Sequence, residues 1–233
     1  MEKEDIENIL IKLHEKRPIF HSEGDFQFSL GCEIQSMYPN VKIIVEKPMI
    51  VYRPVDEIKL SPGTEKVTEH IDMFLYDGPN RIGIELKFIK AKFSYKDDWG
   101  DYCLKPSLAN DLSCYDILKD IHRLENYAQI DKIIESGYAI TITNVSTLWE
   151  KHCDGSDYDP FRVFDGRKLH GIMDWPSKEV AEKKEYRSKP INLYGNYTVN
   201  WHEYPKIQIE QHGKKKSNNT FKYMIFKIGN KPQ

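Results

Sequence analysis

Two alternating runs around a turn-forming tetrad restrict this chain more than any other part of it. EHIDMFLY (Glu69 to Tyr76) and RIGIELKF (Arg81 to Phe88) flank DGPN (Asp77 to Asn80), the pattern of a β-hairpin. Whether the loop holds two residues or four, closure about Gly78-Pro79 sets 76 against 81, 74 against 83 and 72 against 85. Side chains alternate along a strand, so Ile71, Met73, Leu75, Ile82, Ile84 and Leu86 form one apolar face. Asp72, Glu85 and Lys87 fall on the other. A slip of one residue would expose the apolar set and bury the charges, which specifies the register.

An acid facing an acid across a sheet repels unless something neutralises the pair. A divalent cation is the natural partner, because carboxylate oxygens are hard ligands. Mg²⁺ takes one or two of them at about 2.0 to 2.1 Å and keeps several waters. A metal-bound water is more acidic than bulk water, and a nearby ammonium can orient it or stabilise its deprotonated form. Two carboxylates, a metal and a lysine therefore suit phosphodiester hydrolysis. The same residues also read as solvated strand charges, with Lys87 in a salt bridge.

At Asp72 and Glu85-Leu86-Lys87 the chain resembles the PD-(D/E)XK nuclease superfamily, whose signature is an acid on one strand and Glu-Xaa-Lys on the next. Ile71 stands where a proline usually precedes the first acid. The resemblance implies Asp72 and Glu85 as metal ligands joined by the backbone carbonyl of Leu86. Lys87 would position the attacking water and stabilise charge on the phosphate. It also implies Mg²⁺ as cofactor, with Mn²⁺ able to substitute. Many members carry a further acid on an early helix, and Glu23 offers it, with Asp25 as the rival. Glu23 would hydrogen-bond a metal-bound water or hold a second cation; its plainer reading is a helix-dipole partner.

The order of elements around the hairpin agrees with that family. Ser22 and Asp25 resemble a capping box, and Phe26, Leu30, Ile34 and Met37 mark one helical face before Pro39-Asn40. Val41 to Val45 reads as a strand continuing past Pro48 through Met49 to Tyr52. Leu118, Ile121, Leu124, Ala128 and Ile133 or Ile134 give a second helix between Tyr115 and Ile134, ended by Gly137. Tyr138 to Thr143 is a β-branched fourth strand. The expected fold is mixed α/β (α+β): a restriction-endonuclease-like core of helix, three strands, helix and strand over 22–144. Its central mixed sheet is flanked by helices, and a β-rich C-terminal extension over 145–233 completes a single domain.

A net charge of -2 is low for a phosphate binder, so local basic patches matter more than the sum. Lys214, Lys215 and Lys216 lie in an expected hairpin loop between strands at 206–210 and 221–227. Lys90 and Lys92 follow the signature, interleaved with Phe88, Phe93 and Tyr95. Both groups are candidate nucleic-acid contacts, and both also read as ordinary surface charge. His70 would face Lys87 across the hairpin at the rim of the site. Asp116, Asp120, Arg123 and Glu125 read as helix ion pairs or an interface. Trp201 and Tyr204 read as cover for the sheet. Four cysteines without a Cys-x-x-Cys spacing read as reduced and structural, and His152-Cys153-Asp154 lacks a second pair for zinc. Neither a signal-peptide pattern nor a membrane-length apolar run is present, so a cytoplasmic location is expected.

Together these features point to a Mg²⁺-dependent DNA endonuclease of a restriction, repair or phage-defence kind. A homodimer or larger assembly would suit double-strand cutting. The alternatives are a catalytically silent nucleic-acid-binding or assembly subunit with the same fold, and a nuclease acting on RNA.

Overall fold

Ser22 begins the first helix that the sequence marks. Its Oγ accepts the Asp25 N–H at 3.1 Å, capping a helix over Glu23–Met37. In the computed structural model, residues 1–54, 64–97, 100–107, 109–152, 155–204 and 220–229 are described. An additional helix, α1 (Lys3–Lys16), precedes the capped one, α2, and the sequence reading did not include it. Ile6, Ile9, Leu10 and Leu13 recur at helical spacing along α1 and are all buried.

The hairpin closes about a two-residue loop. Strand β1 (Lys42–Pro54) leads into β2 (Thr64–Asp77) and β3 (Asn80–Ile89), with Tyr76 opposite Arg81, Phe74 opposite Gly83 and Met73 opposite Ile84. Gly78, at φ 61°, supplies the positive dihedral that the first position of such a tight turn requires. β1 is an edge strand and continues through Pro48, whose missing donor is tolerated there. A short ribbon follows, β4 (Phe93–Asp97) with β5 (Gly100–Leu104), and then helix α3 (Asn110–Glu125). One π-helical turn, Asn126–Ile130, extends α3.

β6 (Ser136–Thr143) lies parallel to β3. Beyond a short helix α4 (Ser146–Trp149) come β7 (Lys168–Met173), the short α5 (Lys178–Glu182) and β8 (Ile191–Thr198), with β7 and β8 forming their own antiparallel pair. β9 (His202–Tyr204) and β10 (Phe221–Gly229) return to the main sheet, whose order is β1-β2-β3-β6-β10-β9. The result is a mixed sheet between two helical layers. α1 and α2 cover one face, while α3 and the β7-β8 pair cover the other. Among the described residues no helix is long and apolar enough to cross a membrane.

Two departures from the sequence reading have clear causes. The second helix stops at Ile130, and Gly137 lies inside β6 instead of ending the helix. Gly137 pairs with Gly83 of β3, and the two glycines leave a flat patch for Leu124 of α3. An added Cβ at Gly83 would lie 2.7 Å from Ile71 Cδ1 and 3.2 Å from Leu124 Cδ2, and one at Gly137 would lie 3.1 Å from Leu124 Cδ2.

The second departure concerns Ile71. Met73, Leu75, Ile82, Ile84 and Leu86 share the core under α1 and α2, whereas Ile71 joins the opposite core beside α3. β1 changes face at the same level: Ile43 packs toward α2, while Met49 and Val51 pack toward α3. Between them Glu46 adopts a left-handed φ of 48°, and the ladder passes from Val45–Met73 to Lys47–Ile71 without a Glu46–Asp72 pair. That local reversal breaks the strict alternation on which the sequence reading relied.

Gly83→Ala is expected to cost about 1–3 kcal/mol by overpacking, and more than Gly137→Ala, as read from urea denaturation midpoints. Burial pushes the Cys114 thiol up to about 12, while Cys32 and Cys103 are exposed. A thiol reagent should therefore label Cys32 and Cys103 in the folded protein and Cys114 only after denaturation, a pattern that mass spectrometry resolves.

Candidate active site

Asp72 sits where β2 parts from β3. Their ladder ends at Met73–Ile84, one step short of the expected Asp72–Glu85 pair, and β2 continues with β1 alone while β3 continues with β6. The carboxylate of Asp72 bridges the gap: its Oδ2 accepts the Leu86 N–H at 2.6 Å. Gln27 of α2 holds the other side, donating from Nε2 to the Asp72 carbonyl at 2.7 Å and to Glu46 Oε1 at 3.0 Å. Because the strands have separated, His70 does not face Lys87. It pairs with Pro48, and its carbonyl accepts a hydrogen bond from Arg123.

Around this fork the helices add charges. Glu85 is only 1% exposed, and its Oε1 lies 3.1 Å from Arg123 Nη2. Lys87 Nζ lies 2.7 Å from Asp120 Oδ2 and donates to the Leu86 carbonyl at 3.0 Å. Glu23, in the first turn of α2, accepts the Phe88 N–H at 2.8 Å. Asp25 is held elsewhere, by Arg17 at 2.9 Å and by the His21 N–H at 2.8 Å. The structure therefore brings Glu23, Asp72, Glu85 and Lys87 to one place, and of the two acids at the start of α2 it is Glu23 that reaches β3.

The electrostatics are strained toward the acid side. Burial is the main cause that raises the Glu85 carboxyl well above its ordinary range; Asp120 and Asp72 add to it, and Arg123 opposes it. Burial likewise raises Asp120 and Glu23, with Lys87 opposing in both cases. Burial alone would lower the Lys87 ammonium, but Asp120, Glu23 and Asp72 outweigh it, and the group is raised. Glu23, Asp72, Glu85 and Asp120 thus gather around Lys87 and Arg123.

Asp116, Asp120, Arg123 and Glu125 were expected to form ordinary ion pairs on α3 or an interface, and one such pair within the helix is present, Asp120 Oδ1 with Arg123 Nη1 at 3.7 Å. Asp116 pairs with Arg187 at 2.7 Å. Glu125 is buried and accepts from Tyr194 N at 3.0 Å, Gly195 N at 2.6 Å and the Tyr197 hydroxyl at 2.8 Å. Asp120 and Arg123 also reach β3, as the ion-pair partners of Lys87 and Glu85. A signal was present in the sequence: Asp120 stands three residues after Ile117 and four before Leu124, inside the buried stripe of the helix. The π-helical turn that follows places Tyr127 beside Arg123, with its hydroxyl 3.3 Å from Arg123 Nη2 and donating to Glu69 at 2.6 Å. Arg53 closes the network, binding Glu69 at 3.0 Å and Asp131 at 3.0 Å.

A cavity of about 640 Å³ adjoins the cluster, lined by Glu23, Lys87, Lys90, Ser107, Ser113 and Asp116 among others. Lys90 therefore reaches the site's approach, whereas Lys92 is exposed at the start of the β4-β5 ribbon. Phe88 and Phe93 are buried in the core rather than offered to bases. Lys214, Lys215, Lys216 and the strand expected over 206–210 lie outside the described residues, as do Cys153 and Asp154. Trp201 and Tyr204 are buried, the former donating from Nε1 to Val163 O at 2.7 Å.

Whether this donor set suits a metal can be tested on its own atoms. Among the described residues no group of three His, Cys, Asp or Glu side chains stands ready to enclose an ion. Mg²⁺ does not demand one, since one or two carboxylates with waters suffice. Glu85 Oε1 is buried and meets Arg123 as an ion pair without a directed hydrogen bond. Asp72 and Glu85 carry the hard oxygen donors that a divalent cation takes. The Leu86 carbonyl, expected beside them, is taken by Lys87. No family model, curated protein or solved structure matches this chain.

Removing one partner of a buried ion pair strands the other. Arg123→Ala should therefore cost about 3–5 kcal/mol, and Glu85→Gln in the same chain should recover part of that loss. Denaturant titration of the two single variants and the double variant measures the coupling.

Proposed function

We propose that this chain is a divalent-metal-dependent nuclease with a restriction-endonuclease-like core, acting on DNA. The observation that carries the reading is the convergence of Asp72, Glu85, Lys87 and Glu23 at the fork between β2 and β3. The element order α2, β1, β2, β3, α3, β6, interrupted by the separate β4-β5 ribbon between β3 and α3, supports it, since it follows the helix, three strands, helix and strand of that core. So does the cavity beside Lys87, whose Lys90 offers a second positive charge to a phosphate backbone.

A Mg²⁺ or Mn²⁺ ion on Asp72 and Glu85 would supply Lewis acidity and a water of lowered pKa. Lys87 stays charged at neutral pH, because its acidic neighbours raise it. Its ammonium orients the attacking water and offsets charge gathering on the phosphoryl oxygens. Asp120 fixes the direction of that ammonium, and Glu23 ties α2 to β3 at the cavity wall. Water oxygen forms the new bond to phosphorus and gives up a proton to solvent, the bond to the leaving sugar oxygen breaks, and that oxygen takes up a proton from solvent, so that one water is consumed. The products are a phosphate monoester and a free hydroxyl.

A second reading, a silent nucleic-acid-binding or assembly subunit, is favoured by one observation. Glu85 and Lys87 already have internal partners in Arg123 and Asp120. Such a subunit would retain nucleic acid without turnover.

Supercoiled plasmid incubated with purified protein and Mg²⁺ or Mn²⁺ separates the two. The enzyme should nick or linearise it, and Glu85→Ala or Lys87→Ala should lower the rate by about 10²-fold or more with an unchanged circular dichroism spectrum. Equal cleavage by wild type and both variants would sink the site. Binding without cleavage would select the silent subunit.

A further inference from the structure

The cavity beside Lys87 has polar groups that the cluster at the fork does not use. Ser113, in the first turn of α3, lines it and is only 4% exposed, yet its hydroxyl has no hydrogen-bond partner among the described residues. The oxygen is not sealed in the core, so the cavity is where it opens. A buried hydroxyl without a partner costs free energy unless water or a ligand serves it. Lys90 lines the same cavity. Its Nζ lies 5.4 Å from the centre of the Phe88 ring, and no carboxylate among the described residues is paired with it, whereas Lys87 is paired with Asp120.

The backbone fixes both groups in place. Ser107 N donates to the Lys90 carbonyl at 2.8 Å, and Lys90 N donates to the Ser107 hydroxyl at 2.9 Å. That hydroxyl also lines the cavity and keeps its proton to donate. α3 begins three residues later without a side-chain cap, so its first turn adds N–H groups and the positive end of the helix dipole. The two acids on the wall are answered within the fold, Asp116 by Arg187 at 2.7 Å and Glu23 by the Phe88 N–H at 2.8 Å. What remains for a ligand is an ammonium and two hydroxyl donors, a set that recognises phosphate oxygens. Resting on the nuclease reading above, we infer that Ser113, Ser107 and Lys90 form a subsite for a second phosphate of the substrate strand, next to the one cut at Lys87. The substrate is then a polynucleotide, because a small phosphodiester with one phosphate leaves this subsite empty.

Fluorescence anisotropy tests the subsite, using one labelled DNA sequence, single-stranded and duplex, with Mg²⁺ present and phosphorothioate linkages to block cleavage. Ser113→Ala should raise Kd about tenfold without changing the slope of log Kd against log salt, because a hydroxyl releases no counter-ions. Lys90→Ala should raise Kd and also reduce that slope by about 0.7 to 0.9. Lys12→Ala, which removes an exposed partner of Glu15 on α1, should change neither. Thermal unfolding midpoints should stay unchanged, which separates a ligand contact from a structural one. Strands with and without a 5′-phosphate identify the source: for a terminal phosphate the Ser113→Ala effect vanishes with that group, and for an internal one it persists. An unchanged Kd for Ser113→Ala on every strand would overturn the inference. No binding of either form by the wild type would remove the nucleic-acid reading itself and the subsite with it, a result distinct from a Kd that ignores Ser113.

Discussion

The separation of β2 from β3 at Asp72 is the constraint on which the site depends. Up to Met73 and Ile84 the hairpin is an ordinary ladder, and beyond them the strands need other partners for their backbone groups. The partners are side chains: Asp72 accepts the Leu86 N–H, Glu23 accepts the Phe88 N–H, and Gln27 donates to the Asp72 carbonyl. Carboxylates are thus gathered at the fork partly because the opened sheet requires acceptors there. The structural need and the proposed chemistry draw on the same groups.

α3 supplies the opposite half. Leu124 seats the helix on the paired glycines of β3 and β6, and that close approach carries Asp120 and Arg123 down onto Lys87 and Glu85. A bulkier seam would lift the helix and lengthen both ion pairs. The small residues at 83 and 137 therefore set an electrostatic distance as well as a packing distance.

Much of this was legible in the sequence where local rules sufficed. Turn chemistry at Gly78-Pro79 and the alternation on either side fixed the register down to Met73 and Ile84, and Ser22 marked the start of α2. Local rules failed where tertiary contacts intervened. The positive φ at Glu46 turns β1 and β2 over, so Ile71 changes core and the Asp72–Glu85 pair never forms as a ladder step. Gly137 looked like a helix stop because its reason for being glycine is a neighbour thirteen residues earlier in sequence, Leu124. Asp120 and Arg123 read only as helix ion pairs or an interface because their further partners lie more than thirty residues away on β3, even though the position of Asp120 within an apolar stripe hinted at burial.

The buried carboxylate of Glu125 ties the far end of the chain to all of this. It lies two residues beyond Arg123 on the same helix, and its oxygens are occupied by two backbone N–H groups of β8 and the hydroxyl of Tyr197. Asp116, four residues before Asp120, is likewise clasped by Arg187. The helix segment bearing the two site charges is thus bracketed on both sides by residues from the last quarter of the sequence. A change around Arg187 or Tyr197, remote from Asp72 in sequence, would reach the charge cluster as a rotation or slide of α3, so the C-terminal portion acts as the mount on which half of the site is aligned.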